Sequence, residues 1–409
     1  MSTKTFLFIA FTFTLFSFKS QILTKEDSLA AGLVRNNNST VLSGYGQAKV
    51  EYDLRTGTAV ADLTRNVLFI GHKFNNKISL FSEMEIESAK IVGGSPSGEI
   101  SMEQVFIKFN GKRNSNYFVA GLIIPRIGII NENHLPTTFN ANDRPTVERL
   151  VIPSTWRELG IGYYGEVRKM PGLNYSATLT NGLNAKGFTS GGVLREARFE
   201  GSNATASNMA LSAALLYYFK RFRFQTSMYV GGSNGVSKRE ADSLGLDYGA
   251  LGTPVILNEV NVQYNGKKGL QFKALGSYVS ISNAQEINAA FAQNVPTSLY
   301  GYYVELGYNL LASRANLQEK SLVLFARFEG MNLNNTMSQN GVFDDAQKKQ
   351  FLTAGLHFQP IKGVSVKLDY TFASTGKRND LLYSVNPAQP GLPYYTTNQL
   401  INLGIAYSF

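Results

Sequence analysis

Between its alternating apolar–polar stretches, this chain has connections that are short and long by turns, and few architectures accommodate that rhythm. The short ones are Asn75-Asn76, Gly111–Asn116, Met170-Pro171-Gly172, Lys220-Arg221, Asn265–Gly269, Leu311–Lys320 and Gln359–Gly363. The long ones are Ile91–Glu99, Pro125–Trp156, Asn184–Asn208, Gly232–Pro254, Ile281–Leu299, Met331–Gln350 and Ser374–Asn398. Only the first outer connection, near Thr56-Gly57-Thr58, departs from the rule. A two-layered sandwich has no reason to segregate its connections. A closed barrel with tight turns on one rim and long loops on the other does so by construction.

The stretches themselves read as strands. In Ala48–Arg55 every even position is apolar and every odd one charged, so the two faces of a strand would meet different media. Lys77–Lys90 sets Ile78, Leu80, Met84 and Ile86 opposite Glu83, Glu85 and Glu87. Glu158–Lys169 and Leu173–Leu183 split as cleanly, and Leu63–Phe74 alternates least. Counting through to Gln399–Phe409 gives about sixteen strands, an even number within the range of bacterial barrels. The ordinary half-buried sheet gives the same alternation in any one strand; repetition carries the argument.

The ends fit an exported protein. Lys4, the apolar run Thr5–Phe18 and the small Ser20 have the layout of a signal segment, here residues 1–20, cleaved after Ser20. Residues 21–42 read as an irregular lead-in and 43–409 as the barrel. No later stretch approaches the ~20 apolar residues of a spanning helix. The 27 phenylalanines, 21 tyrosines and 38 glycines, with only 17% charged residues, suit an all-β transmembrane antiparallel barrel with aromatic girdles. The closing Ile401, Leu403, Ile405, Tyr407 and Phe409 share one face. The implied partner is outer-membrane lipid, in the outer membrane of a Gram-negative cell.

Pro125–Trp156 interrupts the alternation for about thirty residues, which is uncommon in a compact domain and usually functional or disordered. Ile127, Ile129, Ile130, Leu150, Val151, Ile152 and the single Trp156 are too apolar for a solvated linker. We expect an ordered third extracellular loop, folded inward to narrow the bore. Its Arg126, Arg144 and Arg149, with Arg157 one step beyond, are the candidate constriction and anion-binding residues. A guanidinium fork grips phosphate or carboxylate bidentately. Glu132, Asp143, Glu148 and Glu158 in the same segment offer the other reading, salt bridges that pin the loop. Along the wall, Lys49, Lys108, Arg168, Arg223, Lys273 and Lys367 are the candidate pore-lining basic residues, interleaved with acidic ones such as Glu51, Asp53, Glu83, Glu166 and Asp369.

Chemistry is poorly supplied. The absence of cysteine excludes thiolate catalysis and zinc–thiolate sites. His72, His134 and His357 are far apart, with no nucleophile or metal-ligand spacing. The Glu83, Glu85, Glu87 row is straight and does not converge as a calcium site must. We therefore expect no catalytic residue, no metal and no cofactor. The chain carries 39 Lys and Arg against 29 Asp and Glu, but no basic run interleaved with aromatics, so nucleic acid is not an expected partner.

The stretch NANDRPTVERLVIPSTWRELGIG (140–162), preceded by LIIPRIGIINENH, resembles the constriction-loop region of the phosphate-selective porin O and P family. The signal segment, strand count and terminal Phe409 agree with that family over nearly the whole chain. The resemblance implies a homotrimeric barrel whose third outer loop sets selectivity. The interleaved acidic residues depart from the family's inward basic ladder. The expected function is passive diffusion of small hydrophilic solutes, leaning to anions such as phosphate. A barrel-borne hydrolase or a structural or adhesive surface barrel are the alternatives.

Overall fold

Sixteen antiparallel strands close into one barrel, each paired with its sequence neighbours and β1 with β16. The structure is a computed structural model that describes residues 39–88, 98–111, 115–314, 317, 319–383 and 394–409. The export signal, and most of the lead-in, lie outside the described residues. The first eight strands are β1 Thr40–Asp53, β2 Thr58–Lys73, β3 Ile78–Glu87, β4 Glu99–Asn110, β5 Asn116–Ile123, β6 Glu158–Glu166, β7 Leu173–Asn181 and β8 Met209–Phe219. The second eight are β9 Phe222–Gly231, β10 Val255–Asn265, β11 Leu270–Ile281, β12 Pro296–Asn309, β13 Ser321–Met337, β14 Lys348–Ile361, β15 Val364–Thr375 and β16 Thr397–Ser408. The first strand therefore begins inside the stretch read as lead-in. The seam is drawn tight at its end, where Gly44 and Phe409 exchange both backbone hydrogen bonds, at 3.2 and 3.0 Å.

Pleating sorts the residues by face. Outward positions are apolar and exposed, among them Leu211, Leu215, Val260, Leu324, Leu403 and Ile405. Inward positions are polar and buried, among them Gln47, Glu83, Gln225, Glu305, Arg327 and Asp369. This inverts a soluble protein. Phe109, Phe219, Phe222 and Tyr308 ring the rim that bears the short turns, and Phe222 packs on its cross-strand partner Tyr264 of β10 at 4.6 Å.

Two wall details shape the interior. Between β3 and β4 the register slips, so that Glu83 faces Gln104 and Met84 faces Met102. Glu103 is the extra residue of a β-bulge, and both Glu103 and Gln104 are buried. A bulge re-aims a side chain in this way. The other detail is glycine: a Cβ on Gly404 of β16 would stand 2.0 Å from Asn142 Oδ1, and one on Gly301 of β12 2.9 Å from Val151 Cγ2. At these two points the wall is thinned to admit the 125–156 segment.

Arg168 is a correction to the sequence reading. β6 ends at Glu166, because Val167–Met170 closes a turn through Met170 N to Val167 O at 2.9 Å, and Gly172 follows at φ +88°. Pro171 lacks an N–H for a ladder. Arg168 is thus an exposed turn residue bonded to Ser115 Oγ at 3.3 Å, not a wall residue.

Candidate functional site

Backbone buried without periodic partners must find others, and the 125–156 segment finds them around most of the ring. Gln47 of β1 donates to the Asn142 carbonyl at 2.7 Å. Gln225 of β9 donates to the Gly128 carbonyl at 3.1 Å. Glu329 of β13 accepts from Val147 N at 3.0 Å, and Asp369 of β15 from Asn142 N at 2.7 Å. Thr155 reaches Glu103 of β4 at 3.0 Å. β4 and β13 stand on opposite arcs of the closed order.

Glu148 holds the segment to itself. It sits on α1 (Val147–Leu150), is fully buried, and accepts from Ile129 N and Ile130 N at 2.7 Å each and from the Tyr303 hydroxyl at 2.6 Å. Burial raises its carboxyl above the ordinary range, against the pull of those three donors. Trp156 is fully buried too; its ring packs on Tyr229 at 4.6 Å and its backbone N–H bonds to Asn131 at 2.9 Å. The apolar cluster around it extends beyond the segment to Leu194 of α2 (Val193–Glu196), Ala241 of α3 (Lys238–Leu244) and Ile287 of α4 (Ala284–Phe291). Fully burying side chains of this kind is worth about 1.5–3 kcal/mol each. Three further long connections are therefore packed into one core with the first.

Above the segment, on the side of the long connections, lies a cavity of about 460 Å³. Arg65, Arg144, Arg149, Arg157, Arg195 and Arg198 line it, together with Glu85, Glu87, Glu99, Glu196 and Glu200. Arg157 and Arg198 share Glu200, at 2.7 and 2.5 Å. Arg195 and Arg198 also donate to the carbonyls of Ser154 and Thr155, at 3.2 and 2.9 Å. Among the described residues four buried donors on this cavity have no hydrogen-bond partner: Arg65 Nη1, which is ion-paired with Glu85 at 3.2 Å, Arg144 Nε, Arg157 Nε and Ser154 Oγ. Burial lowers Arg144 to about 10, with Arg65 adding to the shift. Burial takes Arg198 to about 10 as well, against the opposing pull of Glu200. Both remain cationic at neutral pH. A second cavity, lined by Thr137 and Asn140 of the segment and by Gln263, Asn265, Gln271 and Gln359, lies toward the short turns.

The structure thus brings Arg144, Arg149 and Arg157 to one cavity. Arg126 stands apart, 3.7 Å from Glu132 and 4.8 Å from the Tyr164 ring centre. Arg223 of β9 bonds the same Glu132. Lys49 pairs with Asp143 at 2.9 Å, and Lys273 with Glu305 at 3.6 Å. Lys108 lies over the Tyr117 ring at 4.1 Å. Lys367 is buried, its ammonium donating to the carbonyls of Pro136, Phe139 and Ala141 at 2.6, 2.7 and 2.8 Å; it serves the segment's backbone. Sequence reasoning missed Arg65, on the strand with the weakest alternation, and Arg195 and Arg198. The only signal for the last pair was their three-residue spacing.

The solved structures with similar folds include the outer membrane channel DcaP of Acinetobacter baumannii, at TM-score 0.53 and 13% identity, covering 90% of this chain and 97% of that one. An anion-selective porin from Comamonas acidovorans matches at TM-score 0.52 and 10% identity over 91% of this chain and 99% of that one. OmpF of Salmonella typhi, in complex with daunomycin, matches at 0.54 and 14% over 90% and 97%. Its fold is shared with porins. At these identities the likeness is one of fold alone, so the porin fold is common ground while the loop chemistry is the chain's own. An uncharacterized protein of Aquifex aeolicus (strain VF5) is 28% identical over 344 residues, spanning 80% of this chain and 74% of that protein. No family model matches the chain.

Proposed function

We propose that this protein is an outer-membrane porin for passive diffusion of small hydrophilic solutes, preferring anions such as phosphate, with residues 125–156 folded into the bore as its constriction. The apolar outer wall suits a lipid surround, and a polar interior lowers the desolvation barrier for a solute. The observation that carries the anion preference is the set of unpartnered buried donors on the arginine-lined cavity. A buried donor without an acceptor costs about 1–3 kcal/mol, and an oxyanion supplies the missing acceptors. Arg144, Arg149 and Arg157 bind it in this reading, and Arg195 and Arg198 join them. Assembly as a homotrimer fits the same reading.

Planar-bilayer recording of the purified protein is the test. Stepwise ohmic conductance and a reversal potential on the anion side in a KCl gradient are expected, with Arg144→Ala, Arg149→Ala and Arg157→Ala together moving it toward cations. A bilayer that stays closed removes the channel reading. Cation preference in the unmutated protein removes the anion preference and leaves the channel standing.

A further inference from the structure

We propose that Glu83 of β3, Glu103 of β4 and His134 of the 125–156 segment form a binding site for a divalent transition-metal ion, with zinc the best match. His134 Nε2 lies 3.4 Å from Glu83 Oε2 and 3.1 Å from Glu103 Oε2, and the three candidate ligand atoms all fall within 4.8 Å of one another. Zinc holds imidazole nitrogen and carboxylate oxygen at about 2.0–2.2 Å, which puts the edges of its tetrahedron at about 3.3–3.5 Å. The two separations from His134 are already close to those edges.

The local construction points the same way. Glu103 faces inward beside Gln104 only because the β-bulge inserts it there; regular alternation would turn one of the two outward. Its two oxygens are oriented by the hydroxyls of Tyr45, at 2.5 Å, and Thr155, at 3.0 Å, the kind of outer-shell support that fixes a ligating carboxylate. Glu83 is 1% exposed, and its one hydrogen-bond partner among the described residues is His134 at 3.4 Å. A charge-assisted bond is normally about 2.7–2.9 Å, so this carboxylate is left underused in a dry setting. An imidazole with two carboxylates is a donor set for zinc and its neighbours.

Two guanidiniums, those of Arg65 and Arg144, stand beside the trio. Arg65 is taken up by Glu85 at 3.2 Å, and Arg144 reaches the His134 carbonyl at 3.3 Å. A bound ion would tie the segment to two adjacent strands, beside the Thr155–Glu103 hydrogen bond.

The full chain, purified as a folded barrel, stripped with EDTA and dialysed, should take up one zinc per chain. Cobalt in its place should give the visible absorption of a tetrahedral site and be displaced by zinc. His134→Ala and Glu103→Gln should each weaken binding at least ~10-fold, while Glu87→Gln, on the same strand face outside the trio, should not. Failure of the unmutated barrel to take up zinc at micromolar free metal, or a cobalt spectrum without tetrahedral character, overturns the site without recourse to any variant. Equal binding by a folded His134→Ala variant does so too. Conduction is a separate matter: a barrel that conducts and binds no zinc loses only this site.

Discussion

The Lys367 ammonium donates to the Phe139 carbonyl at 2.7 Å and lies 4.1 Å from the centre of the Phe139 ring. One wall residue thereby satisfies a carbonyl and braces a side chain of the same segment residue. Pro136 and Ala141 lend it their carbonyls as well, so a basic side chain that would attract solute if it were free is consumed in holding backbone. Lys367→Met should loosen this end of the segment at a cost of about 3 kcal/mol, since removing one member of a buried charged network is strongly destabilising. Urea unfolding gives the cost. The single tryptophan gives the location: Trp156 emission should stay blue-shifted if only the Pro136–Ala141 end lifts, and move to the red if the whole segment undocks.

Gly404 should tolerate no side chain. Its added Cβ would meet Asn142 Oδ1 at 2.0 Å, and Asn142 is not free to retreat, being bonded to Asp369 through both its backbone and side-chain nitrogens at 2.7 Å. Gly404→Ala is expected to destabilise by about 1–3 kcal/mol, the usual range for an overpacked interior. A double variant with Asn142→Gly should recover most of the loss, as the urea midpoint would record.

Glu148 sets a pH dependence. Burial raises its carboxyl in the folded protein, so the folded state holds this proton more firmly than the unfolded one. The contribution is complete below the unfolded value of about 4.3, and is lost as pH rises through the elevated folded value. Glu148→Gln has no proton to lose. The difference in urea midpoint between the variant and the unmutated protein should therefore shift in favour of the variant as pH rises from 4, then level off. A difference independent of pH between 4 and 8 would contradict the raised value.

Glu200 should act as a brake on anion preference. It accepts from Arg157 at 2.7 Å and Arg198 at 2.5 Å, and both guanidiniums line the outer cavity. Glu200→Gln removes one negative charge and unpairs two positive ones. The reversal potential in a KCl gradient should move further toward the anion side, most at low ionic strength, where screening is weakest. Arg126→Ala should move it much less, because Arg126 is spent on Glu132 away from that cavity.

The barrel was legible because its signals are local and repeated. Inward and outward residues alternate along each strand, and turn chemistry at Pro171-Gly172 and Asn265-Gly266 marks the short rim. What could not be read was where the inward charges end up. Lys49 and Lys367 lie on the expected face, yet their partners Asp143 and the Pro136–Ala141 carbonyls depend on how a periodicity-free segment packs against the wall. The Glu103 bulge was equally hidden, since one extra residue changes a strand's register without changing its composition. Arg195 and Arg198 lie in a connection whose short turn α2 is fixed by packing on the segment, which no spacing rule reaches.

The apolar core shared by Trp156, Leu194, Ala241 and Ile287 has a consequence for variation. Four stretches far apart in the chain fill one another's gaps, so a swap of any single one between relatives would leave a hole or a collision for the other three to absorb. Changes at this end of the molecule should be inherited as matched sets, and a graft intended to alter one connection will have to bring its companions with it.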